Sequence, residues 1–410
     1  MNSKTIFLAD MESFYASVET ARNPTLRNKP VAVCGDPALR HGIILAASRE
    51  AKAFGIKTGQ PAWEARRMCP WVIFVHPRMQ AYIDCSLTIT EIFEKYTDRV
   101  APYSIDEQFL DLSGSPSLND SPPDTARTII EEVWRKTGIK CRIGMGENPL
   151  QAKMACDNFA KKNDKGFFAL NNFNYAEQTW SLPIGSLFGI GHRMEKRFRH
   201  IGVRTIGQLA NLPRAMMARR WGINGELLWL NANGVDYSLI NTLPASTPRG
   251  VGHTATLPED YFKQDEIELV LAEMTEEVCF RVRKQGKIGA TVHLYCRGAD
   301  FNCPTGFSRQ QKLPEPSAMT VTIYPTVLKL FRKFWDRKPV RAVGISLTGL
   351  TDHRQLKLLT EKTEEQNALL YRTIDRLHER YGKTALFRAS SLKPGSQLFQ
   401  RAAKIGGHDA

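Results

Sequence analysis

Long apolar runs are missing from this chain of 410 residues. None approaches the ~18 consecutive residues a membrane helix needs, and no basic stretch followed by an apolar core opens it, so neither a spanning helix nor a secretory leader is expected. Acid is in short supply: 42 Asp and Glu stand against 56 Lys and Arg, a formal net charge of +14. That imbalance favours a polyanionic partner, nucleic acid before a membrane surface. Paired cysteines are also lacking. The eight cysteines are scattered with no short repeated spacing, so no zinc site is expected. Contexts such as Ala32-Val33-Cys34 and Leu294-Tyr295-Cys296 suit buried thiols in a reducing, cytoplasmic compartment. At ~150 residues per domain the length implies two to four domains.

What is present begins with an apolar, β-branched run over residues 5–9 that stops at Asp10, where a helical pattern takes over. A second stretch, Ser104-Ile105-Asp106-Glu107-Gln108-Phe109-Leu110, carries two acids in the turn before an apolar alternation. Each alone is consistent with a helix N-cap or a solvated turn. If the two strands pair, three carboxylates converge, and at ~4 Å each like-charge pair costs roughly 4 kcal/mol at an effective dielectric near 20. A hard divalent cation with oxygen ligands, Mg²⁺ foremost, relieves that repulsion. Two such ions about 3.5–4 Å apart form a clamp for phosphoryl transfer.

These residues resemble the Y-family translesion DNA polymerases of the DinB/UmuC-like kind. The match runs through Leu8-Ala9-Asp10-Met11-Glu12-Ser13-Phe14-Tyr15 and Ser104-Ile105-Asp106-Glu107, then through Lys29-Pro30-Val31, Ala51-Lys52-Ala53-Phe54-Gly55, Ile143-Gly144-Met145-Gly146 and Phe188-Gly189-Ile190-Gly191. It extends to about residue 391. The resemblance implies an α+β right hand: palm over 1–33 and 78–180, fingers over 34–77, a small helix-hairpin-helix thumb over 181–240, an α/β little finger over 248–350, and a C-terminal tail over 351–410.

It also implies roles. Asp10 and Asp106 would bridge two Mg²⁺ ions, Glu107 would complete the one at the primer end, and the Met11 carbonyl would join the one at the nucleotide. Tyr15 would be the steric gate against a 2′-hydroxyl. Arg49, Lys52 and Lys161 would hold the triphosphate of a dNTP, although the family most often has tyrosine at the Arg49 position, and Lys162 competes with Lys161 for the role. Asp111 and Glu12 are assigned no ligand role. Gln355-Leu356-Lys357-Leu358-Leu359 stands where the family carries a sliding-clamp peptide, with Leu359 in place of the usual phenylalanine.

Further reading of the pattern fills in the frame. Helical spacing covers residues 80–96, with Ile83, Leu87, Ile92 and Phe93 near one face, and again 125–137 and 150–159. Gly189 and Gly191 precede a basic helix with Arg193 and Lys196, a pattern that lets backbone amides approach a phosphate without reading sequence. Alternation over 287–297, 319–323 and 343–347 predicts strands, and 266–283 and 325–335 predict helices behind them. Arg249, Arg297, Arg332, Lys333 and Arg341 are available there for DNA phosphates. The expected activity is templated, low-fidelity DNA synthesis by a monomer on primer-template DNA. A DNA-binding accessory protein without chemistry and a Mg²⁺-dependent phosphoesterase are the competing readings; the phosphoesterase lacks a water-activating base near the acids.

Overall fold

Six consecutive buried residues make β1 (Ile6–Met11) an interior strand. The computed structural model describes residues 4–36, 42–115, 121–240, 249–300, 302–303, 305–352, 362–405 and 408–409. The chain divides into two compact units, Met1–Ser246 and Thr247–Ala410.

In the first unit, α1 (Phe14–Arg22) follows β1 directly, with Phe14 and Val18, four apart, in the core and Tyr15 half-buried beside them. Next come β2 (Val31–Cys34), β3 (Ile44–Ala47), α2 (Arg49–Ala53), α3 (Ala62–Met68) and β4 (Ile73–Val75). The three strands form a small separate sheet in the order β3-β2-β4. It is packed with short side chains, among them Ala47, Ala51, Ala62 and Ala65.

Beyond it lies α4 (Met79–Phe93), which buries Met79, Tyr82, Ile89, Ile92 and Phe93. Leu87 is exposed and Ile83 half-buried, contrary to expectation. At about 100° per residue, Tyr82, Ile89 and Phe93 stack on one line and Leu87 falls about 140° away from it. The main sheet is completed by β5 (Val100–Pro102), β6 (Glu107–Asp111), α5 (Pro122–Thr137), β7 (Cys141–Gly146), α6 (Pro149–Asn158) and β8 (Phe167–Ala169). Its order is β5-β6-β1-β7-β8, with β1 antiparallel to both neighbours and β7 parallel to β8. A helical layer follows: α7 (Tyr175–Thr179), α8 (His192–His200), α9 (Ile206–Ala210) and α10 (Arg214–Ala232), around Leu187, Phe198, Ile206, Leu209 and Met217.

The second unit comprises β9 (Gly250–Tyr261), α11 (Gln264–Lys284), β10 (Lys287–Gly298), β11 (Gly306–Ser317), α12 (Thr320–Phe334) and β12 (Val340–Asp352). Its antiparallel sheet has the order β11-β10-β12-β9. Val292, Leu294 and Cys296 of β10 pack with Val270 and Met274 of α11 and Val327 and Phe331 of α12. The strand expected at 319–323 is instead the start of α12, which carries Pro325 within its first two turns. Pro325 removes the N–H that would bond the Val321 carbonyl, and the burial of Ile323 and Val327, four apart on the inner side, outweighs that loss.

After α13 (Lys362–Tyr381) come α14 (Leu398–Ala402) and the short pair β13 (Lys404–Ile405) and β14 (His408–Asp409). Instead of trailing as a polar tail, this segment docks on α11. Arg283 donates to both Asp375 oxygens at 2.7 and 2.8 Å, and Glu273 accepts from Ser396 Oγ at 2.7 Å and from the Gln397 amide at 3.0 Å. Tyr261 Oη reaches the Gly395 carbonyl at 3.0 Å. Several of the polar groups that make the stretch read as a tail are the ones that bond to α11. No helix among the described residues is long and apolar enough to cross a membrane.

Candidate active site

Strand register puts Asp10 opposite Glu107, and the Met11 amide donates to the Asp106 carbonyl at 2.9 Å. The edge of β6 therefore meets the end of β1, as the two acidic stretches predict. On the other side, β7 pairs Asp10 with Arg142. A Cβ on Gly144 would stand 2.2 Å from the Ala152 carbonyl oxygen, and one on Gly146 would stand 2.4 Å from the Ala152 amide nitrogen. Only glycine lets α6 lie this close to β7. That close approach carries Lys153 and Asp157 of α6 into the same cluster.

The resulting set differs from the expected one. Ligand oxygens of Asp10, Glu107 and Asp157 lie within 4.8 Å of one another; Asp106 is not in this group. Its Oδ1 instead accepts from Ser104 Oγ at 2.5 Å, and its charge reaches the Tyr15 hydroxyl. Two lysines interleave the acids. Lys153 Nζ is 2.6 Å from Glu107 Oε1 and 3.1 Å from Asp157 Oδ2, and Lys161 Nζ is 2.6 Å from Asp10 Oδ2 and 2.7 Å from Asp157 Oδ1. Three carboxylates against two ammonium groups leave one negative charge, and a proton on Asp10 cancels it.

Burial, followed by the hydrogen bond to Glu107, pushes Asp10 up to about 7 against the pull of Lys161. Burial works the same way on Glu107, but the shared proton and the Lys153 ammonium hold it below the usual range. For Lys161, burial would lower the pKa; the Asp10 and Asp157 carboxylates outweigh it and hold the ammonium well above its ordinary value. An all-oxygen donor set that carries excess negative charge once Asp10 gives up its proton suits a hard divalent cation. Such a cation must displace the Asp10 proton. Its affinity should therefore fall about tenfold per pH unit below about pH 7 and level off above, which calcium titration calorimetry across that range would register. A flat profile would contradict the shared proton.

The remaining expected residues fall as follows. Met11 ends β1 beside Cys141. Glu12 accepts from Arg142 at 3.2 Å and Asp111 from Arg99 at 2.9 Å, so both are paired elsewhere. Tyr15 stacks on Tyr82 with ring centroids 4.3 Å apart and 12° between planes. The Tyr82 hydroxyl donates to buried Glu19 at 2.7 Å, and Arg78 also binds that carboxylate. Arg49 and Lys52 are exposed on α2, and Lys52 Nζ donates to Ser13 Oγ at 2.7 Å. Lys161, rather than exposed Lys162, touches the acids.

Gly189 has φ +94°, and Gly191 is the N-cap of α8, whose Arg193 and Lys196 are exposed. In the second unit Arg249 and Arg297 are exposed, Arg332 is held by Glu268 at 2.8 Å, and Arg341 is 3.9 Å from Asp260 and only one-fifth exposed. Lys333 lies 5.4 Å from the Phe334 ring centre. His293 meets Ser308 at 2.7 Å. Gln355, Leu356, Leu358 and Leu359 lie outside the described residues.

Sequence reasoning missed Lys153 and Asp157. Their signal was there: Lys153, Asp157 and Lys161 recur every four residues just past a strand ending Gly144-Met145-Gly146. Tyr82, which backs Tyr15, left no local signal.

Residues 9–157 match the impB/mucB/samB family and residues 248–358 match the C-terminal domain of that family. The chain is 49% identical over 411 residues to DNA polymerase IV 2 of Bacillus subtilis (strain 168), covering 100% of this chain and 99% of the relative. It is 44% identical over 405 residues to DNA polymerase IV 2 of Halalkalibacterium halodurans (99% of each) and 40% identical over 400 residues to DNA polymerase IV of Pelotomaculum thermopropionicum (97% and 98%). Among solved structures, a Y-family DNA polymerase chimera shares the fold with a TM-score of 0.70 at 20% identity, covering 85% of this chain and 100% of the chimera.

Proposed function

The chain belongs to the impB/mucB/samB family of Y-family, DinB/UmuC-like DNA polymerases, and from that premise we propose that its acid cluster holds two Mg²⁺ ions and joins a dNTP to a primer end. The protein is a DNA-directed DNA polymerase of the translesion kind. One observation carries the mechanistic reading: Asp10 faces Glu107 in register across β1 and β6, with Asp157 oxygen drawn into the same 4.8 Å.

When bound, the two ions would stabilise charge on the entering and leaving oxygens. Asp10 and Glu107 would hold them, with Asp106 turning in from Ser104 and the Met11 carbonyl alongside. Lys153 keeps the Glu107 carboxylate in place through its 2.6 Å contact. Lys161, which reaches Asp10 at 2.6 Å, would hold the triphosphate together with Arg49 and Lys52. In this reading the low fidelity of the family follows from an open site.

Tyr15 is the sugar gate in this scheme. Its ring is fixed from behind by Tyr82, which Glu19 and Arg78 anchor, so it does not yield to a 2′-hydroxyl. Tyr15→Ala should raise ribonucleotide use relative to deoxyribonucleotide by about 10²-fold or more in single-nucleotide insertion, a steric penalty of a few kcal/mol being removed. Unchanged discrimination would remove Tyr15 from the role.

For DNA, the backbone around Gly189 and Gly191 with Arg193 and Lys196 supplies a sequence-independent phosphate site, and Arg249, Arg297 and Arg341 supply another. Of these, Arg341 is the least accessible. A sliding clamp would dock through residues 355–359, presenting leucines to an apolar groove. The protein would act as a cytoplasmic monomer on primer-template DNA.

A further inference from the structure

Exposed tryptophan is unusual on a protein surface, since its large ring gains most from burial. Here two tryptophans stand out on the small sheet subdomain of residues 42–77: Trp63 is 67% exposed and Trp71 is 62% exposed. Neither belongs to the active site described above.

Each has a distinct setting within this subdomain. Trp71 meets Phe54 edge-on at 5.4 Å between ring centres, and Phe54 is itself 42% exposed. Met68 closes up against the same turn, its Cε 2.9 Å from where a Cβ on Gly55 would stand. Trp63 begins the outer face of α3, and Arg66 and Arg67, three and four residues on, share that face and are exposed. The inner face of α3 is Ala62, Ala65 and the following Cys69, all buried, so the helix has no freedom to hide its tryptophan.

Over residues 42–77, Arg49, Lys52, Lys57, Arg66 and Arg67 oppose only Glu50 and Glu64. Flat aromatic faces interleaved with cations are the chemistry of single-stranded nucleic acid: bases stack on the rings while the cations follow the phosphates. Five cations against two acids favour a polyanion over a protein partner of mixed charge. Phe54 is the C-cap of α2, two residues past Lys52, which touches Ser13 at the head of α1. Lys52 thus ties α2, which Phe54 ends, to the head of α1, the helix that carries Tyr15.

We propose that Phe54, Trp63 and Trp71, with Lys57, Arg66 and Arg67, form a platform for the unpaired template strand ahead of the primer end. This rests on the polymerase reading and goes beyond it, since polymerisation itself requires only the templating base. Because stacking and not base-edge contact holds the strand, binding should tolerate any sequence and fall steeply with salt.

The test is fluorescence anisotropy with two labelled primer-templates, one with a single-nucleotide 5′ overhang and one with about ten nucleotides of mixed sequence. Wild-type protein should bind the long overhang roughly tenfold or more tightly than the short one. Trp63→Ala with Trp71→Ala should erase that difference, and Trp63→Phe with Trp71→Phe should keep most of it. Both side chains are more than half exposed, so their removal does not threaten the fold. Equal affinity of wild type for the two substrates, or a difference that survives the double alanine variant, would overturn the platform; a surface serving a protein partner gives that second result. Primer extension by wild type on the short overhang keeps the two readings apart, since its absence would count against the polymerase reading, while a failed platform leaves it intact.

Discussion

Asp10→Asn should abolish nucleotide addition, by about 10³-fold or more in single-turnover incorporation, while leaving the thermal midpoint unchanged or raising it. The two effects separate because the cluster serves chemistry at a cost to stability. Asp10 is 6% exposed and lies against Glu107, and burial pushes its carboxyl up to about 7, so that without a cation it carries a proton about half of the time at neutral pH. Asparagine fills the same volume, donates to Glu107 as the protonated acid does, and has no charge to desolvate. Lys161 loses Asp10 but keeps Asp157 at 2.7 Å. What the variant lacks is an anionic oxygen for the cation. Scanning calorimetry beside incorporation kinetics would check both halves, and a variant that unfolds early would contradict the picture of Asp10 as a strained functional acid.

Lys153→Met should do the reverse to stability. Lys153 is 8% exposed and bonded to both Glu107 and Asp157. Methionine preserves most of the volume and removes the charge, which leaves three carboxylates with Lys161 as the one ammonium bonded to the cluster. Breaking a buried pair by deleting one partner costs about 3–5 kcal/mol. At roughly 2–4 °C per kcal/mol for a unit of this size, the midpoint should drop by about 10 °C. Millimolar calcium should restore much of that loss by supplying the missing positive charge, and Lys153→Arg should lose little. A midpoint that neither falls nor responds to calcium would show that the acids do not need the cation.

The outline of this site was legible because strand chemistry is local. A β-branched run ending at Asp10 and an acid pair leading into Phe109 and Leu110 each declare a strand end, and antiparallel pairing does the rest. Tyr15 was placeable from Phe14 and Val18, which fix the inner face of α1. The third acid of the cluster was not, because Asp157 arrives through tertiary packing: α6 comes into range only by lying on Gly144 and Gly146, and no spacing within α6 says which strand it will cover.

The second unit shows the limit of alternation. Residues 319–323 alternate as a strand does, yet Ile323 also stands four from Val327, and burial against α11 chose the helix. Conversely, β11 is exposed along most of its length, so its Arg309, Gln310, Gln311 and Lys312 leave no apolar period to detect. The docking of the 362–405 segment on α11 was not legible for a related reason: Asp375, Ser396 and Gln397 make interior contacts through polar atoms.

The most direct test of the whole account is addition of a single nucleotide to a primer annealed to each of four templates, with Mg²⁺ titrated from zero, for wild type and Glu107→Gln. The cluster of Asp10, Glu107 and Asp157 predicts that wild type adds the nucleotide complementary to each template in a Mg²⁺-dependent manner and that Glu107→Gln adds none. Addition that ignores the template, cleavage of the primer in its place, or undiminished synthesis by Glu107→Gln would contradict it.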